Sequence, residues 1–100
     1  MKSYVLKMLP KAEADIEDIL GYLSEFGDTV AKRQHERILK KLRSLQHFPL
    51  RGHPVGLLGA KALRQVNINR YKIIFFVNEQ EEYVEVQRIV HMKQDTKFER

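Results

Sequence analysis

Apolar positions along this chain change their spacing from one stretch to the next, and each change marks an element. Tyr4 to Leu9 is a short, largely apolar run that reads as a strand, and Pro10 either ends it or opens a helix at its first turn. Ala12, Ile16, Ile19, Leu20 and Leu23 then recur at steps of three and four, the spacing of one helical face. Glu13, Asp15, Glu17 and Asp18 lie away from that face near the helix start, where acids complement the dipole. Gly27 is the expected stop. Asp28 or Thr29 can cap a second helix, with Ala31, Ile38, Leu42 and Leu45 as its apolar line and Leu39 beside it.

Between 47 and 61 the pattern breaks. HFPLRGHPVGLLGAK holds two prolines and three glycines and reads as a long loop. Period-two and continuous apolar runs follow, predicting strands at 62–68, 71–78 and 82–91, the last two joined across NEQEE. The order is β-α-α-β-β-β, an α+β domain in which two helices pack on one face of a mainly antiparallel sheet and bury both helical stripes. One hundred residues, 43% hydrophobic and with no Pro, Gly or Ser-rich linker, suit a single domain spanning 1–100, with 92–100 as a C-terminal tail.

Charge alters this picture. Residues 1–30 carry three cations and six acids, residues 31–72 eleven cations and one acid (Glu36), and residues 73–100 four cations and six acids. The middle segment therefore holds an excess of ten (11 − 1) inside a net charge of only +5. Such a segment attracts phosphate or an acidic protein, with salt-sensitive association, unless it is simply a solvated helix face. Lys32, Arg33, Arg37, Lys40, Lys41 and Arg43 on the second helix, with Arg70, are the candidate target-binding or partner-binding residues.

Strand parity bears on the remaining cations. In regular strands Lys72 shares a face with Ile74 and Phe76, Arg64 with Val66 and Ile68, and Arg88 with Val84, Val86 and Val90, while Ile89 and His91 point the other way. An arginine in apolar company either meets a carboxylate or emerges at the edge of the face, because an unpaired buried guanidinium is too costly.

Established catalytic motifs are mostly missing. The chain has no phosphate-binding loop, GxSxG, HExxH or dinucleotide fingerprint. Without cysteine it has no disulfide framework and no thiolate ligand or nucleophile, which fits a reducing, cytoplasmic setting. No signal peptide and no run of transmembrane length is evident, so no membrane partner is expected. His47 and His53 share a loop without a nearby carboxylate, a poor metal site, so no metal or other cofactor is expected. His91, at a strand end and followed by Lys93, is the better candidate for proton chemistry.

The run AEADIEDILGYL before a basic helix, then FPLRGHP, LRQVNINRYKIIFFV and VEVQRIVHMK, resembles the RelE/ParE superfamily of type II toxin-antitoxin toxins, from Tyr4 to about Lys93. The resemblance implies the compact β-α-α-β-β-β toxin fold and a cognate, commonly acidic antitoxin whose disordered tail folds along the toxin. RelE-like members cut messenger RNA on the ribosome without metal, using Arg and Lys, often with Tyr or His, to stabilise phosphate charge. For that branch the resemblance implies Arg64, Lys72, His91 and Lys93 as catalytic residues. Lys72 and Lys93 stand where it usually carries arginine, so the bidentate fork is missing, and only Phe98 lies near its usual terminal Tyr. ParE-like members poison DNA gyrase. The DIEDILGYL helix, the Pro49 to Pro54 segment, Leu63-Arg64 and Arg88-x-x-His91 are features of that branch, in which no residue is catalytic and Arg64 and Arg88 are mainly structural. A third possibility is a degenerate toxin or a plain basic nucleic-acid-binding module.

Overall fold

In a computed structural model, which describes residues 3–93, the chain forms a five-stranded sheet with two helices on one face. The elements are β1 (Val5–Met8), α1 (Pro10–Ser24), α2 (Asp28–His47), a single 3-10 turn (Pro49–Arg51), β2 (His53–Leu58), β3 (Lys61–Ile68), β4 (Tyr71–Asn78) and β5 (Tyr83–His91). The strand order is β1-β5-β4-β3-β2, with β1 parallel to β5 and every other pairing antiparallel. The predicted tail 92–100 lies outside the described residues beyond Lys93. Among the described residues no helix is long and apolar enough to cross a membrane.

Both helical stripes are buried as their spacing requires. Ala12 of α1 and Ile38, Leu42 and Leu45 of α2 meet Val66, Ile73, Phe75, Val84, Val86 and Ile89 of the sheet in one core. Ile16, Ile19 and Leu39 pack against its margin. Pro10 opens α1, where its missing N–H is no loss. Gly27, at φ 124°, links the helices at the N-cap position of α2, and α2 begins at Asp28 with no side-chain cap bond.

Two expectations are corrected. The segment 47–61 is not one loop: it holds the 3-10 turn and the edge strand β2, paired antiparallel to β3. Its prolines and glycines are compatible with pairing because an edge strand needs only one row of backbone bonds. The register shifts between Pro54 and Gly56, and the Gly59-Ala60 turn into β3 uses Gly59 at φ 61°. The second correction is in β5. Ile74 lies opposite Arg88 while Phe75 lies opposite Val86, so Gln87 is an extra residue that bulges the strand. Parity therefore flips: Ile89 joins Val84 and Val86 in the helix-side core, and Val90 joins Ile74 and Leu63 on the opposite face.

Candidate binding surface

The bulge at Gln87 places Arg88 against α1. Arg88 Nε donates to Asp15 Oδ2 at 2.8 Å and its terminal nitrogen to Asp15 Oδ1 at 3.1 Å, a two-pronged ion pair in which both side chains are largely buried. Asp15 Oδ2 also accepts the Ile89 backbone N–H at 2.9 Å. The carboxylate raises the Arg88 pKa, chiefly through the hydrogen bond, against the opposing effect of burial.

Arg64 has a different partner. Its guanidinium donates to the carbonyl oxygens of Leu50 at 3.0 Å and Gly52 at 2.7 Å, holding the 3-10 turn and the start of β2 against β3. Backbone carbonyls thus take the place of the carboxylate or the open edge that its apolar setting suggested.

Of the four residues implied for RNA cleavage, His91 and Lys93 adjoin at the end of β5, while Arg64 and Lys72 lie apart from them. Arg64 is opposite Phe75 and His91 opposite Tyr71, on strands either side of β4. Four residues along and two strands across put their backbones roughly 15 Å apart. Lys72 lies opposite Val90 and Asn67, on the face away from the helices. His91 packs edge-on to Tyr71 at 5.7 Å, and its Nδ1 accepts the Lys93 backbone N–H at 3.1 Å.

His91 and Tyr71 belong to a cleft of about 660 Å³ between α1 and the ends of β4 and β5, which also takes in Asp18, Tyr22, Phe26 and Arg70. Tyr22 and Phe26 are 58% and 64% exposed and meet edge to face at 5.3 Å. Burial, with a smaller contribution from Tyr22, pushes the Tyr71 phenol up from its usual value, and Arg70 opposes this. Periodicity alone did not single out Tyr22 and Phe26, because Tyr22 lies off the core stripe of α1 and Phe26 follows the helix end.

On α2 the basic residues are unpaired. Lys32, Arg33, Arg37, Lys40 and Arg43 are exposed and Lys41 is half-buried, and among the described residues none of the six meets a carboxylate. Arg37, Lys40 and Lys41 share one helical face and line a hollow of about 260 Å³, closed by Ser44, Ile68 and Arg51 of the 3-10 turn. Arg51 lies over the Phe48 ring at 5.2 Å, and that ring is half exposed. The sequence placed Arg51 in a long loop; only the 3-10 turn after α2 returns it to the helix.

Over residues 6–96 the chain matches the family described as the ParE toxin of type II toxin-antitoxin systems, parDE, and it belongs to that family. It is therefore a RelE/ParE-type toxin of a type II system. No curated protein matches it in sequence. Solved structures share the fold. A chain of a chromosomal ParDE toxin-antitoxin system from P. aeruginosa is 19% identical with a TM-score of 0.74, covering 91% of this chain and 98% of that one. A chain of the toxin-antitoxin complex RelBE2 from Mycobacterium tuberculosis is 16% identical, TM-score 0.67, covering 91% and 93%. A chain of the archaeal RelE-RelB complex from Pyrococcus horikoshii OT3 is 14% identical, TM-score 0.67, covering 93% and 99%.

Proposed function

We propose that this toxin arrests growth by binding DNA gyrase, with no catalytic residue of its own, and that an acidic cognate antitoxin restrains it. The observation that carries this reading is the dispersal of Arg64, Lys72 and His91. A metal-free ribonuclease centre needs charged groups aimed at one phosphate, and here Arg64 holds a turn while Lys72 faces away from it across the sheet. The Arg88–Asp15 pair is likewise a structural tie. The ParE family match supports the same branch. The two clefts and α2 offer contact surface in place of chemistry.

For the antitoxin, the support is the unpaired basic row on α2, together with structural neighbours that are described as toxin-antitoxin complexes. An acidic segment reaching that row gains long-range attraction before it docks.

A cell-free comparison tests the choice of target. Purified protein is added to ribosomes translating a defined message and, separately, to gyrase with relaxed plasmid. Blocked supercoiling or trapped cleaved plasmid with intact message is the expected result. Cleaved message with normal supercoiling would sink the gyrase reading and make His91, Lys93 and Arg64 the catalytic suspects. Absence of both effects, with no growth arrest in cells lacking antitoxin, would assign the chain to the inactive or plain nucleic-acid-binding class.

A further inference from the structure

The hollow between α2 and the 3-10 turn gathers like charge without relief. Arg37, Lys40 and Lys41 project from one helical face and Arg51 closes the rim, and among the described residues no carboxylate lines the space. Like charges at helical spacings of three and four residues repel, so the fold keeps an arrangement that is locally unfavourable. Beside it, the Phe48 ring stands half exposed with the Arg51 guanidinium over it, and Tyr4, Pro49 and Leu50 continue the apolar wall.

We infer that this hollow is a binding site for a nucleic-acid strand, with backbone phosphates held by the four cations and a base stacked on Phe48. Charge complementarity selects this occupant. An acidic peptide can match the charge alone, whereas a nucleic-acid strand brings both a full charge at every nucleotide, whatever its sequence, and a base for the Phe48 ring. A guanidinium layered on a half-exposed aromatic ring is the kind of platform on which unpaired bases stack. Arg51 serves both features, since it lines the hollow and covers the ring. The site lies apart from the Tyr22–His91 cleft, and the inference stands independently of whether gyrase or the ribosome is the target.

The test is fluorescence anisotropy with labelled single-stranded DNA and RNA of one mixed sequence, titrated with the intact chain at low and moderate salt. Binding is expected to weaken with salt at a slope of about 0.7 per phosphate contacted. A Lys40→Ala/Lys41→Ala variant should bind about ten-fold or more weakly with a shallower slope. Phe48→Ala should lose about ten-fold with the slope unchanged, because stacking carries no counterion release. Arg51→Lys, which keeps the charge but not the planar group, should retain the slope and lose affinity. Lys11→Ala, an exposed cation of α1 outside the hollow, serves as the control. Circular dichroism verifies folding of each variant. Tighter binding of DNA or of RNA would identify the source of the strand, and both results support the site. Three outcomes overturn it: no binding at low salt, equal loss in Lys11→Ala and the hollow variants, or a polyglutamate peptide that binds as tightly and loses as much in the same variants.

Discussion

A single carboxylate joins α1 to β5 three times. Asp15 accepts two bonds from Arg88 and one from the Ile89 N–H, so Asp15→Ala leaves a largely buried guanidinium and a backbone donor without partners. The expected cost is about 2–4 kcal/mol, read from the urea midpoint, and Arg88→Ala should cost less because Asp15 keeps its bond to Ile89. Gly52 is a second sensitive position. A Cβ there would sit 2.6 Å from the Gln65 carbonyl oxygen and 3.0 Å from the Phe75 ring, so Gly52→Ala should destabilise by about 1–3 kcal/mol in the same assay. Tyr71 sets a pH limit. Its folded pKa is raised above the ordinary 10.0, so the contribution of the neutral phenol is complete below that value and is lost as pH climbs through the folded one. In Tyr71→Phe the late-titrating component of phenolate absorbance should disappear, and the alkaline decline in stability should become shallower. The sequence showed that Arg88 needed a partner. It did not show which, because Asp15 is 73 residues away and looks like any acid in the N-terminal half of a helix.

Elements with a strong period were legible, and those governed by turn chemistry were not. The observed bounds of β3, β4 and β5 differ from expectation by a residue or none, because Val, Ile, Phe and Tyr in continuous runs leave little choice. β2 was hidden by Pro54, Gly56 and Gly59, although Gly59-Ala60 between two paired segments is the two-residue connection that a hairpin favours. The bulge in β5 was equally silent, since Gln87 fits a regular strand as well as an irregular one. The basic helix α2 was legible except for its start, where Gly27 and not Asp28 or Thr29 holds the N-cap position, and it supports a kinetic prediction. If an acidic antitoxin is steered to α2, its association rate with the toxin should fall by about ten-fold or more from low to high ionic strength, with dissociation nearly constant in stopped-flow measurements. Reversing Arg33 and Arg37 to Glu should remove most of that salt dependence, and an unchanged association rate would count against steering.

Across the molecule, the sheet order carries information that no local pattern holds. β1 pairs in parallel with β5, Val5 against Tyr83, so the first strand meets the last across nearly the whole chain. β5 does not sit at an edge; it lies between β1 and β4, and it supplies Val84, Val86 and Ile89 to the core. A chain ended at Glu82 should therefore lack cooperative unfolding and native near-ultraviolet circular dichroism, although both helices and three antiparallel strands remain encoded. Translation gives that arrangement a further meaning. While the ribosome is still making the protein, the emerging segment has no strand against which β1 can close, and its core is missing one wall. A nascent or prematurely terminated copy without β5 is therefore expected to fall short of the finished shape, and any growth arrest that needs that shape should wait until β5 has emerged.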